Sequence, residues 1–250
     1  MADSFPDHFS AVAGSYAEFR PTVPDALFDW IAATAPARRA AWDCGCGNGQ
    51  ATIPLALRFG RVAATDASIH QLRHAPRTAG VTWHCATAEA SALAPGLVDA
   101  VVIAQALHWF DVARFWEEVR RVGRPGALVV ACTYGRFFTG VAAIDAVLHH
   151  LHDDVMGPFW PLNRGYVDTR YATIPFPFAR LAVPEFPMTR QWSLAELAGY
   201  VRTWSATQRY FDAGLPDPFP AAMDALGPRW GTERRTVQWP LTVLAGRLPD

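Results

Sequence analysis

Along the chain, short apolar runs alternate with stretches of helical periodicity. The runs at 41–44, 62–65, 81–85, 98–104 and 127–133 are four to seven residues long, continuous rather than alternating, and bounded by Gly or Asp. Strands buried on both faces of a parallel sheet have this texture. Between and around them, amphipathic spacing predicts helices at 25–33, 50–59, 69–75, 112–121, 141–153 and 194–204. Pro54 lies inside the second of these and is compatible with it only near the opening turn, where backbone N–H groups lack intrahelical partners. Strand and helix in alternation predict an open, doubly wound α/β sheet. A final strand at 236–244 is expected to return to that sheet, giving a Rossmann-like, mostly parallel, seven-stranded arrangement.

The pattern divides the chain into four parts. Residues 1–40 read as N-terminal cap helices and 41–134 as the alternating core. Residues 135–192 are an insertion after the fifth strand in which Pro158, Pro161, Pro175, Pro177, Pro184 and Pro187 interleave with aromatic residues such as Phe159, Trp160, Tyr166, Tyr171, Phe176 and Trp192. This aromatic lid follows no regular period. Residues 193–250 complete the sheet with helices and strands. No internal repeat is present.

Composition sharpens the picture. With 250 residues, of which 51% are hydrophobic and 18% charged, the chain has apolar content enough for a large core. All 22 basic residues are Arg. Without lysine there is no Schiff-base chemistry and no P-loop lysine to reach a phosphate. The formal net charge of −1 and the scattered arginines give no electrostatic footprint for nucleic acid. No apolar run approaches the ~18 residues of a membrane span, and the first residues lack the pattern of a secretory signal. These features, with four cysteines that make no disulfide framework, predict a cytoplasmic protein with no nucleic-acid or membrane partner.

The strongest motif is Asp43-Cys44-Gly45-Cys46-Gly47-Asn48-Gly49, at the end of the first apolar run and before a helix. Glycines there let backbone amides approach a ligand without an obstructing Cβ. A dinucleotide site uses G-x-G-x-x-G, whereas this run closes one residue earlier and carries an acid two residues before its first Gly. That acid suits a ligand ammonium group and would repel a pyrophosphate. Asp66, at the tip of the second strand and 17 residues beyond Gly49, is placed to accept ribose hydroxyls, as an acid about 20 residues past such a loop does.

On these residues, 41–133 resemble the cofactor-binding half of class I S-adenosylmethionine-dependent methyltransferases of the type 11 group. Asp66 matches the ribose-binding acid of that family, and Ala86-Thr87-Ala88-Glu89-Ala90 resembles its adenine-edge segment. Asp99 to Phe110 resembles its fourth strand and following loop. Arg124-Pro125-Gly126-Ala127 resembles its L-K-P-G-G turn, with Arg for Lys and Ala for the second Gly. More narrowly, Tyr16-Ala17-Glu18-Phe19-Arg20-Pro21, His108-Trp109-Phe110, Trp204-Ser205 and Trp239-Pro240 resemble the trans-aconitate methyltransferase branch. The resemblance implies S-adenosylmethionine as cofactor, held by Tyr16, Arg20, Asp43, Gly45, Cys46, Gly47, Gly49, Asp66, Ala67, Ala88, Glu89 and Gln105, and a small-molecule acceptor methylated on a hydroxyl or carboxylate oxygen. It implies a monomer or homodimer. An NAD(P)-dependent oxidoreductase and a catalytically silent cofactor-binding protein are the alternatives.

In-line displacement at a sulfonium needs alignment and exclusion of water more than it needs catalytic side chains. A hydroxyl acceptor must lose a proton, for which His108 is the expected catalytic base; otherwise it shapes the pocket. Trp109, Arg136, Trp160, Arg164 and Tyr171 are the expected acceptor-binding residues, with Arg170 a further candidate for gripping a carboxylate. The lid rings either line this pocket or form a secondary core. Cys44 and Cys46 lack a second ligand pair at zinc spacing, and the His149 to Asp154 cluster reads as a solvated helix end, so no metal site is expected.

Overall fold

A computed structural model describes residues 19–250. Strands β1 (Ala41–Cys44), β2 (Val62–Asp66), β3 (Val81–Cys85), β4 (Val98–Ala104) and β5 (Gly123–Tyr134) pair in parallel. Beyond β5 lie β9 (Leu241–Arg247), antiparallel to it, and the two-residue β6 (Ala179–Arg180), giving the order β3-β2-β1-β4-β5-β9-β6. The predicted seven-stranded, mostly parallel Rossmann-like sheet is what forms. Its helices include α1 (Asp25–Thr34), α2 (Thr52–Ala56), α3 (Ile69–Arg73) and α4 (Val112–Val122).

The continuous apolar runs are explained by burial on both faces. In β4, Val101 and Ile103 join a core with Trp42, Phe115 and Trp116, whereas Ala100 and Val102 face a second core with Leu27, Phe28 and Leu55. Successive side chains of a strand point to opposite sides, so every position must be apolar when both sides are covered. The exception is β3, an edge strand whose residues are all at least partly exposed; its expected two-sided burial is not found. At the N-terminal end of β4, buried Asp99 accepts hydrogen bonds from the Arg39 and Ala40 amides and is ion-paired to Arg39 and Arg124, each at 2.8 Å. Burial pushes this carboxyl up in pKa, but those donors outweigh it and hold it below the ordinary carboxylate range.

The C-terminal part departs from expectation. In place of one strand at 236–244 there are two, because Pro240 cannot donate to a ladder: β8 (Arg235–Trp239) pairs with β7 (Met188–Trp192) in a separate two-stranded sheet, and β9 enters the main sheet. The helix expected at 141–153 is α5 (Ala142–His149) followed by a π-helical turn at His150–Val155. Helices α6 (Arg164–Asp168), α7 (Leu194–Arg202), α8 (Ser205–Asp212) and α9 (Phe219–Trp230) follow. The rings of 135–192 divide between cores. Phe176 and Phe178 pack edge-on to Trp116 under the sheet, while Phe137, Trp160 and Trp192 join Tyr200, Trp204 and Trp239 in a third cluster that begins at Tyr134, the last residue of β5.

Candidate active site

Two cavities open where the parallel strands end. The larger, of about 190 Å³, is lined by the glycine loop after β1, the tip of β2, residues 86–89 and the loop after β4. The smaller, of about 50 Å³, lies between that last loop and the third aromatic cluster. Gln105, Trp109 and Tyr134 line both. A crevice outside the carboxyl ends of the strands, at the point where strand order reverses, is where an open α/β sheet binds its ligands.

In the larger cavity the loop is shaped by Gly45, Gly47 and Gly49, all with positive φ. A Cβ on Gly45 would lie 2.5 Å from that of Ala106, so nothing larger fits between this turn and the loop after β4. Asp66 holds the loop in place, with one carboxylate oxygen accepting from the Gly47 amide and the other from the Ser68 amide, both at 2.8 Å. A carboxylate has further lone pairs for a ligand after two such bonds. Glu89 accepts from the Asp111 amide at 2.8 Å and so ties segment 86–90 to the start of α4.

Asp43 is the unusual group. It is fully buried at the edge of this cavity, and Oδ2 accepts from Thr52 Oγ1 at 2.5 Å, while Oδ1 has no hydrogen-bond partner among the described residues. Burial, reinforced by the charge of Asp66 and opposed by Thr52, raises its pKa to about 7. An orphaned, buried carboxylate oxygen costs free energy until a cation meets it. The donor and acceptor set therefore fits S-adenosylmethionine, which Asp43, the glycine loop, Asp66, Ala88 and Glu89 would hold, with Asp43 suited to its ammonium and Asp66 to its ribose.

Of the other residues expected here, Cys46, Ala67 and Gln105 line this cavity. Gly49 closes the loop behind it, with Trp83 where a Cβ would go. Tyr16 lies outside the described residues. Arg20 lines the smaller cavity instead, its guanidinium donating to the Thr203 carbonyl at 2.7 Å and lying over the Tyr200 ring.

The smaller cavity is lined by Arg20, Arg136 and Arg164, by His108 and His152, and by aromatic rings, with no Asp or Glu on its wall among the described residues. Arg164 stacks on Trp160 with its Cζ 4.4 Å from the ring centroid, and it bonds Asp168 at 3.0 Å. Arg136 pairs with Asp153 at 2.7 Å. The same Asp153 oxygen takes the Nδ1 proton of His152, whose Nε2 accepts from Arg164 at 3.3 Å. The π-helical turn carries His152 inward to 6% exposure, between Trp160 and Trp204. The expectation of a solvated cluster is thus wrong for this histidine, since a wider turn changes which residues face the interior. Among the described residues, no three His, Cys, Asp or Glu are grouped to hold a metal ion.

Two further expectations change. His108 lines the cavity, but burial and the charge of Arg164 press its pKa down to about 3. It is neutral across the working range and has little affinity for a proton, so the base role does not suit it. Tyr171 is fully buried and lines neither cavity; its hydroxyl lies 2.9 Å from His108 Nδ1. Arg170 is likewise outside both. Asn163, which no sequence pattern marks, donates to the His108 carbonyl at 3.0 Å and lines the smaller cavity.

A Rossmann-like sheet with a buried acid, a glycine loop and a strand-tip acid around one crevice is the arrangement of a nucleoside-binding α/β protein. Comparison with known proteins agrees. Residues 42–131 match the methyltransferase domain family. A provisionally named methyltransferase of Dictyostelium discoideum is 31% identical over 89% of this chain and 86% of its own length. Uncharacterized methyltransferases of Mycobacterium tuberculosis are 41% identical over 47% of this chain and 48% of theirs. A solved structure from Anaeromyxobacter dehalogenans, provisionally assigned as a type II methyltransferase, superposes with a TM-score of 0.86 at 42% identity, covering 93% of this chain and all of that one. The chain belongs to the class I S-adenosylmethionine-dependent methyltransferases.

Proposed function

We propose that this enzyme methylates a carboxylate oxygen of a small-molecule acid held in the cavity lined by Arg20, Arg136 and Arg164. The observation that carries this reading is that no competent base stands on that wall among the described residues. His108 is pressed to about 3 and His152 to about 4, and among the described residues no Asp or Glu lines the cavity. A hydroxyl or an amine would have to give up a proton to become a nucleophile, whereas a carboxylate arrives ionised.

Three guanidiniums and flat rings fit an acid with an apolar body. When bound, S-adenosylmethionine supplies an electrophilic methyl on a sulfonium. The chain's part is to orient and to exclude water: Asp43, Asp66 and the glycine loop fix one reactant, the arginines fix the other, and Gln105, Trp109 and Tyr134 form the wall where the two cavities meet. Aromatic faces there suit a sulfonium.

The test is to supply isotopically methyl-labelled cofactor with a panel of small aromatic and aliphatic acids and their hydroxyl analogues. Carboxyl methyl esters release labelled methanol on mild alkali, while ethers and methylated amines do not. Alkali-labile label is expected; a product that keeps its label in alkali refutes the carboxylate reading.

A further inference from the structure

We infer that Tyr171 donates its phenolic proton to His108 Nδ1, holding His108 as the Nε2–H tautomer and making it a hydrogen-bond donor on the acceptor cavity wall. For its substrate this rests on the carboxylate reading above; the tautomer itself depends on no ligand.

The phenol is fully buried, so its oxygen must satisfy itself from protein groups. Arg170 and Tyr171 bring it there through two successive left-handed residues, at φ 54° and 59°, a cost that a loop without a task would not retain. The short 3-10 turn Leu107–Trp109 lies beside the phenol, and the backbone of Leu107 and His108 acts on it as donors would, favouring its ionised form. Amide N–H groups only donate, so neither can accept the phenol proton. That proton must then go to another acceptor.

Two acceptors are in reach, His108 Nδ1 at 2.9 Å and the Thr133 hydroxyl. Thr133 gives its own proton to Gln105 Oε1 at 2.6 Å, and the Gln105 amide cannot be turned round, because Tyr134 N–H donates to its oxygen and the Tyr134 carbonyl accepts from its nitrogen. The imidazole nitrogen is the more basic acceptor and takes the phenol proton. Its other nitrogen, with no partner among the described residues, then carries hydrogen on the cavity side of the ring.

The consequence is a wall that donates from His108 as well as from the arginines. A carboxylate is acceptor-only and matches it, with His108 orienting the oxygen that is not methylated. A hydroxyl acceptor finds no lone pair on His108, since Nδ1 is spent on Tyr171. Tyr171 is thus a positioning residue acting through His108.

The test is two-bond ¹H–¹⁵N correlation on full-length protein labelled with ¹⁵N-histidine, with His108 assigned by its loss in His108→Gln. The expected pattern is protonated Nε2 and bare Nδ1, unchanged from pH 8 down to about 4. Tyr171→Phe is expected to shift His108 toward a mixture of tautomers. Thr133→Val is expected to leave the pattern as it is, and it serves alone should the tyrosine variant not fold. Protonated Nδ1 in the wild type, or a tautomer change in Thr133→Val, overturns the inference. Either result leaves the carboxylate reading standing, and an alkali-stable methyl product beside an Nε2–H histidine would sink that reading alone.

Discussion

A carboxyl group that is half protonated near neutral pH must shed its proton before it can pair with an ammonium ion, and Asp43 is such a group. Its pKa of about 7, against an ordinary 3.8, corresponds to about 4 kcal/mol set against the charged form in the ligand-free protein. A ligand ammonium beside the orphaned Oδ1 reverses that balance, so binding draws the proton off. Affinity for S-adenosylhomocysteine should then rise with pH: relative to pH 8, Kd should be about twofold weaker at pH 7 and about tenfold weaker at pH 6. Calorimetric titration at the three pH values measures this. At pH 6 nearly one proton should be released per ligand bound, visible as an enthalpy that depends on the buffer's own ionisation. In Asp43→Asn the affinity should be lower throughout and its pH dependence lost. A wild-type Kd constant within twofold from pH 6 to 8, with buffer-independent enthalpy, would show that Asp43 does not meet the ammonium.

Other expectations concern the remaining anchors. Asp66→Ala should weaken S-adenosylhomocysteine binding by about 1.5–3 kcal/mol, the worth of charge-assisted hydrogen bonds, as read by the same titration. Acidification should reveal the two low-pKa histidines, His108 and His152. Their folded pKa values of about 3 and 4 lie below the unfolded 6.5, so the unfolded chain binds more protons and stability falls as pH drops from 6.5 toward 4, by at most about 5 kcal/mol for the pair at pH 4.5. Asp43 works the other way, because its raised folded pKa adds stability as pH falls from 7 toward 3.8. Denaturant unfolding of Asp43→Asn should therefore lose stability on acidification more steeply than the wild type, and equal slopes would contradict these assignments. Asp99→Ala should lower thermal stability by about 2–3 kcal/mol, or roughly 4–12 °C, by orphaning two amides at the foot of the sheet.

What could be read from the chain follows from which forces act locally. Strands β1 and β4 showed plainly because burial on both faces requires an uninterrupted apolar run, and the glycine loop showed because positive φ and close approach restrict residue type. Pro240 was visible too, but that it separates two strands in different sheets depends on the partner β7, which lies some 50 residues earlier. The aromatic stretch 135–192 has no period, because its rings are placed by tertiary contacts with Trp116 on one side and Trp204 on the other. Tyr171 looked like a pocket ring for the same reason. His152 was hidden by a π-helical turn that α-helical spacing does not foresee.

The loop after β4 joins both halves of the site. Gln105 sits there at φ 56°, a conformation costly for a side chain of its size, yet its amide is bonded at both ends to Tyr134 and also receives the Thr133 proton. Those bonds pin the end of β5 against the end of β4, so the ring of Tyr134 and the turn bearing His108 and Trp109 hold one fixed spacing between the two cavities. Displacement at a methyl group is sensitive to that spacing above all. The strain at Gln105 is therefore placed where rigidity serves the reaction, and Gln105→Ala should leave S-adenosylhomocysteine affinity within a few-fold of wild type while methyl transfer falls by tenfold or more; a variant with normal turnover would show that the spacing is set elsewhere.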